Sequence, residues 1–191
     1  MTPLIAWHGA NRWAGMPEIR TQREEASEHG PGIYLATSYS TARRYGRSMM
    51  LFGLRPDIGW LEEATMPLAV AADAASLLFG RAAGARISKG LSEYAARVSS
   101  RLGGNTVDAS VLVNLAVNEH VAHGARGVAL AGFLSARGVG ASLVHQSNED
   151  WVVVFDPAVV VDVLKATDAD YRTLGFDLPR IAEQYKAMAG S

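Results

Sequence analysis

The chain has no cysteine in its 191 residues, and that absence removes disulfides, thiolate metal sites and a cysteine nucleophile together. It also lacks an excess of charge of either sign. Lysine and arginine number 18 against 19 aspartates and glutamates, a formal net charge of -1, so no general attraction to nucleic acid is built in, although a local basic patch is compatible with the balance. The opening Met1-Thr2-Pro3-Leu4-Ile5-Ala6-Trp7-His8 lacks the basic start and sustained apolar run of a secretory signal. The most apolar window, Met66 to Phe79, contains Asp73 and is shorter than the roughly 20 residues that a membrane span needs. No membrane association is expected, and the expected location is the cytoplasm; delivery into another cell is compatible with the same features. There is no Walker-type phosphate loop, and Gly30-Pro31-Gly32 lacks the strand-turn-helix order of a dinucleotide-binding Rossmann motif. No internal repeat or low-complexity linker interrupts the chain.

What is present is a composition that folds. Hydrophobic residues make up 49% of the chain, and the length suits one domain with a sizeable core. Residues 1–191 are therefore expected to form a single domain, with a helical insertion at about 61–123. Leu4 to Trp7 reads as a short buried strand, Trp13 to Glu28 as a charged helix or loop, and Ile33 to Ala36 as a second strand. Thr37 to Met50 reads as a helix with a Thr/Ser cap, and Leu51 to Trp60, with its glycines and proline, as a loop or weak strand. The alanine-rich stretch from Leu61 to Arg101 has helical spacing, with Gly80, Gly84 and Gly90 as candidate breaks. Gly103-Gly104-Asn105 reads as a turn, Asp108 to His123 as a helix capped by Asp108, and Gly124 to Arg137 as its continuation, ending at Gly138. Ala141 to Val144 and Trp151 to Phe155 flank a polar stretch in the manner of a hairpin. Pro157 to Leu164 is a further apolar run, and Tyr171 to Ala189 reads as a helix with Leu178 and Ile181 toward the core.

Three segments carry chemistry. Trp7-His8-Gly9-Ala10 closes the first apolar stretch. His29-Gly30-Pro31-Gly32-Ile33-Tyr34 is a glycine turn feeding a strand, with Tyr45 on the helix that follows. Asn148-Glu149-Asp150-Trp151-Val152-Val153-Val154-Phe155-Asp156-Pro157 is an acidic strand entry ending in Asp-Pro. Two aromatic rings such as Tyr34 and Tyr45 can clamp a flat heteroaromatic ligand by offset stacking, worth about 0.5–1.5 kcal/mol per pair.

Together the segments, roughly residues 4–47 and 125–165, resemble the histidine-tyrosine-glutamate branch of the ADP-ribosyltransferases, the group of the poly(ADP-ribose) polymerases and diphtheria-type toxins. The resemblance implies an α+β fold, a split and mostly antiparallel sheet around an NAD cleft with peripheral helices. It implies transfer of ADP-ribose from NAD, as co-substrate, to an acceptor, with release of nicotinamide. The partners are then NAD and an acceptor that is protein, nucleic acid or small molecule. By the same resemblance His8 binds the adenosine ribose, the Gly9 backbone the carboxamide, and Tyr34 and Tyr45 stack on the nicotinamide. Gly32 in the turn joins the NAD-binding set. Tyr39 competes with Tyr45 and is read as surface or rim.

The acid is where the sequence departs from the pattern. The place of the family glutamate, counted back from the Asp-Pro pair, falls on Trp151. Glu149 lies two residues earlier, so alternation keeps it on the same face, whereas Asp150 needs a bulge to turn inward. Glu149 is the favoured catalytic acid and Asp150 the runner-up. A second departure is Ala42, where relatives often carry a serine that bonds the carboxamide; Thr41 or Ser40 can substitute. His120 and His123, with Glu119 nearby, invite a metal reading, but no third and fourth ligands at convincing spacing accompany them, and no metal site is expected. Two other functions stay in view: a catalytically inactive NAD or ADP-ribose binding module, and an enzyme like the RNA 2′-phosphotransferases.

Overall fold

The computed structural model describes residues 2–13, 15–102, 105–166 and 177–190. Gly103 and Gly104 of the expected turn, and 171–176 of the expected tail helix, lie outside them. The architecture is α+β: a six-stranded sheet in the order β6-β7-β2-β1-β3-β8, a two-stranded β4-β5 ribbon, and five α-helices among the described residues. Every pairing between named strands is antiparallel.

In chain order, β1 (Leu4–Ala10), β2 (Ile33–Ala36), α1 (Tyr39–Arg44) and β3 (Ser48–Leu54) build the centre of the sheet. Among the described residues between β1 and β2 there is one 3-10 turn, at Glu24–Ala26, and the rest is loop. The helix expected over Thr37 to Met50 stops at Arg44, because Met49 and Met50 pair with Gly9 and His8 in β3; a run of apolar residues that reads as helix continuation is recruited by the neighbouring strand. The same pairing makes residues 51–54, read as loop or weak strand, a strand.

β4 (Thr65–Pro67) leads into α2 (Leu68–Leu102). Of the three candidate glycine breaks only Gly80 breaks the helix, with φ 76° and ψ 175°. The two arms fold back on each other: Ser88 Oγ reaches the Ala72 carbonyl at 3.4 Å, and a Cβ at Gly84 would meet the Ala75 carbonyl oxygen at 2.7 Å. By length and composition Leu68–Val98 would pass for a membrane span. Residues 68–79, however, reach only about 18 Å at 1.5 Å per residue, well short of a hydrocarbon core. The hairpin also turns Phe79, Ile87 and Leu91 into the interior.

β5 (Thr106–Asp108) pairs with β4 and runs into α3 (Ala109–Asn118). Asp108 does stand at the N-cap, but its carboxylate accepts the Tyr94 hydroxyl. α3 ends five residues short of His123, where His120 takes a positive φ of 56°, and α4 (Gly124–Ser135) starts anew. β6 (Ala141–His145) and β7 (Asp150–Val154) form the expected hairpin. A 3-10 turn at Pro157–Val159 leads to β8 (Val160–Lys165), and α5 (Ile181–Ala189) closes the described chain.

Alternation divides the central strands between two cores. Leu4, Ala6, Leu35, Phe52, Val152 and Val154 face a core capped by Ile181 of α5. Val153, with Tyr34 beside it, faces the larger core built by α2, α3 and α4. Trp7, Ala36 and Ala42 form a smaller cluster under α1.

Candidate functional site

The site lies where two central strands part. β1 pairs with β3 along its whole length but with β2 at Trp7↔Ala36 alone. Beyond that point the His8 ring bridges the two strands, its Nδ1 2.9 Å from the Tyr34 carbonyl oxygen. Trp13 and Phe52 pack around the imidazole at ring-centroid distances of 5.6 and 5.3 Å. Burial pushes its pKa below the ordinary 6.5, against the opposing effect of the bond to Tyr34.

Opening from this gap is a cleft of about 280 Å³ lined by His8, Gly9, Gly32, Tyr34 and Tyr45, together with Trp13 and Trp151. Residues from separate segments of the sequence thus share one cavity. The Tyr34 hydroxyl donates to the Gly30 carbonyl at 2.7 Å and accepts the His29 N–H at 3.0 Å, locking the ring against its own glycine turn. Burial raises its pKa above the ordinary 10, so the phenol stays protonated and keeps donating. Tyr45 stands at the rim, 55% exposed. Gly9 is demanded by packing as well: a Cβ there would lie 1.8 Å from the Ala42 carbonyl oxygen of α1. The Gln22 side chain takes both backbone groups of Gly32, fastening the loop before β2 to the turn. Arg12 and Arg20 share the cleft wall with Glu18, Glu25 and Glu28, so the cleft has no cationic surplus.

Thr41 and Glu149 line an adjoining cleft rather than this one, with Trp151 and Glu28 common to both. Glu149 Oε1 accepts the Thr41 hydroxyl and the Trp151 indole N–H, each at 2.9 Å. Its Oε2 is buried and has no hydrogen-bond partner among the described residues. The Thr41 hydroxyl that could bond a carboxamide is thus committed to the acid. Trp151 is the residue that sequence reasoning treated only as a register problem. The structure makes it a wall of the first cleft and a donor to Glu149, held also by an edge contact with His29 at 5.4 Å.

Asp150 sits on the opposite side of β7, 0% exposed, with no bulge in the register at His145↔Asp150. Oδ1 accepts from Arg180 Nη2 at 2.6 Å, Arg180 Nε at 3.0 Å and His145 Nδ1 at 2.8 Å, and Oδ2 from the Ile181 N–H at 2.8 Å. Burial alone would raise its pKa; the bonds from Arg180, His145 and Ile181 outweigh it and hold the carboxyl below the ordinary 3.8. Both oxygens are engaged in fastening α5 to the hairpin. His120 pairs with Glu24, and the His123 ring contacts the His120 carbonyl at 3.1 Å. No cluster of three or more metal-ligating side chains occurs among the described residues.

No family model matches the chain, and no curated protein matches it either. Among solved structures, a crystal structure of an anti-CRISPR protein is similar at a TM-score of 0.35 with 17% identity, covering 86% of this chain and 96% of that one. A likeness of that degree defines neither fold nor activity.

Proposed function

We propose that the chain binds NAD in the cleft between β1 and β2 and transfers its ADP-ribose to an acceptor, releasing nicotinamide, in the manner of the histidine-tyrosine-glutamate ADP-ribosyltransferases it resembles. One observation carries the reading: His8, Gly9, Gly32, Tyr34 and Tyr45, named from separate stretches of sequence, line a single cleft.

The chemistry fits these groups. A carbonyl oxygen only accepts, so the proton of neutral His8 lies on Nδ1, and Nε2 is left to accept from a ribose hydroxyl. The aromatic walls suit a flat nicotinamide ring. Breaking the nicotinamide–ribose bond releases a neutral leaving group through an oxocarbenium-like transition state, so positioning and a nearby negative charge do most of the work. Glu149 supplies that charge. Its carboxylate borders the adjoining cleft and is tied by Oε1 to the indole of Trp151, the wall that the two clefts share.

Trp151 at the register place of the acid favours a second reading, an NAD-binding module without turnover. The resemblance to RNA 2′-phosphotransferases has less support, because glutamates outnumber arginines in the cleft wall and phosphate-rich partners need the reverse. Incubation with NAD labelled in its adenylate half tests the proposal: free nicotinamide together with label on a macromolecule supports transfer. NAD binding without nicotinamide release supports the module, and absence of NAD binding rejects both.

A further inference from the structure

The turn that joins α1 to β3, Arg43-Arg44-Tyr45-Gly46-Arg47, concentrates positive charge in a chain whose formal total is -1. No aspartate or glutamate occurs in the sequence from His29 to Pro56. Arg43, Arg44 and Arg47 are exposed, whereas Gly46 between them is buried. A Cβ at Gly46 would lie 2.0 Å from the Ala10 carbonyl carbon, so the turn is pressed onto the end of β1 and its arginines are left in solvent. The strands on either side add cations. Ala10 pairs with Ser48 and is followed two residues later by exposed Arg12, and Lys165 of β8, also exposed, pairs with Met50. The one carboxylate of β8, Asp162, stands opposite Gly53, in the far half of β3. Local structure accounts for Arg43, which donates to the Gly46 carbonyl at 3.0 Å and suits the dipole at the last turn of α1. Arg44 and Arg47 form no hydrogen bond or ion pair with any described residue, whereas Arg55, Arg86 and Arg180 each hold a carboxylate.

We infer that this turn is a docking surface for the phosphate backbone of a nucleic acid. Guanidinium forks match phosphate oxygens, and a regular row of phosphates needs exposed cations rather than a pocket. An acidic protein segment, by contrast, draws most of its affinity from side chains seated in pockets, and Arg43, Arg44 and Arg47 line neither of the two clefts. A lipid surface requires an apolar face beside the charges, and the inner face of α1, Thr41 and Ala42, is already buried against the protein. The inference stands apart from the NAD proposal, since it concerns binding at a different surface and requires no turnover.

The test is fluorescence anisotropy across a salt series, without NAD, using a labelled single-stranded RNA oligonucleotide and a labelled DNA duplex. The proteins are wild type, Arg44→Gln, Arg47→Gln, the double variant and Arg97→Gln. Arg97 is an exposed arginine of α2, so its loss makes the same change in net charge elsewhere on the molecule. Wild type is expected to bind the RNA at low salt, with log K falling against log salt at a slope of about -2, which is three phosphate contacts at about 0.7 each on a single strand. Each single substitution is expected to make that slope shallower by about 0.7, and the double variant to bind about tenfold more weakly at low salt. Thermal melting is expected to stay unchanged in all variants, and Arg97→Gln to bind as wild type does. Absence of binding to both RNA and duplex, or an equal loss in Arg97→Gln, overturns the inference. So does binding of a glutamate-rich peptide or of phosphatidylserine vesicles as tight as that of the RNA. NAD affinity of the double variant is expected to stay within about twofold of wild type; a parallel loss would put the arginines in the NAD cleft and overturn the separate surface.

Discussion

The imidazole of His8 occupies the gap where β1 and β2 stop pairing, its Nδ1 2.9 Å from the carbonyl oxygen of Tyr34. This contact assigns the neutral tautomer, with Nδ1 donating and Nε2 free to accept. Burial lowers the pKa below 6.5, so the accepting form persists at neutral pH and is lost only under more acid conditions. NAD affinity should therefore be flat above pH 6.5 and fall with a midpoint below it, and His8→Ala should abolish that step. The folding contribution has the same sense, since a histidine with a depressed pKa binds fewer protons folded than unfolded. That contribution is complete above 6.5 and declines as the pH falls toward the folded value. Affinity measured across this range with a midpoint at or above 6.5 would contradict the assignment.

The two tyrosines should behave differently. Tyr45 is 55% exposed, so Tyr45→Ala should leave folding unchanged and raise the dissociation constant for NAD several-fold, the loss of about 1 kcal/mol of stacking. Tyr34→Phe keeps the ring and removes the bonds to Gly30 and His29. It should cost about 1 kcal/mol of stability in urea unfolding with little change in NAD affinity. Unchanged affinity in folded Tyr45→Ala and in a folded Tyr34→Ala would remove the aromatic clamp.

Glu149 and Asp150 are neighbours with opposite tasks. Glu149→Gln should keep NAD binding and lower turnover roughly 10²–10³-fold, the scale for deleting one electrostatic stabiliser. Asp150→Asn loses the charge that gathers Arg180, His145 and the Ile181 N–H. It should lower stability by about 1.5–3 kcal/mol, as for hydrogen bonds to a charged group, with a milder effect on turnover among folded molecules. Because the Asp150 pKa is depressed, its contribution is complete above 3.8 and is lost as the pH falls through the lower folded value. Acid unfolding of Asp150→Asn should thus show a shallower pH dependence than wild type. Greater loss of turnover in Asp150→Asn than in Glu149→Gln, compared at equal folded fraction, would exchange the two roles.

The parts of the fold written in local pattern are legible in the sequence, and the parts decided by partners at long range are not. The hairpin of β6 and β7 follows from alternation around a polar loop, and so does the placing of Glu149 and Trp151 on one side of the strand with Asp150 on the other. Ser48 to Leu54 reads as the end of a helix and the start of a loop or weak strand because little local distinguishes it; pairing with β1 and β8 makes it a central strand. Gly80, Gly84 and Gly90 look alike as letters, yet Gly80 alone takes a backbone conformation that breaks the helix, and Gly84 serves close packing of the two arms. In the site, His8 and the tyrosines stand out by motif. Arg180 has no signal of its own, since its ion pair with Asp150 closes a loop of thirty residues. Trp151 as a donor to Glu149 is visible only once side chains are in place.

Gly80 offers a test of the helical hairpin. Its φ of 76° with ψ of 175° lies in a region that is essentially glycine-only. Gly80→Ala should destabilise the fold by about 1–3 kcal/mol, whereas a straight, uninterrupted helix would be stabilised by the change. Equilibrium unfolding distinguishes the two by sign.

Nicotinamide release from NAD, measured with binding on the same samples, tests the central claim most directly. The account predicts release by the wild type, weakened binding and lowered release in His8→Ala, and retained binding with release lowered roughly 10²–10³-fold in Glu149→Gln. Wild-type protein that binds no NAD, or His8→Ala and Glu149→Gln proteins that release nicotinamide at the wild-type rate, would contradict it.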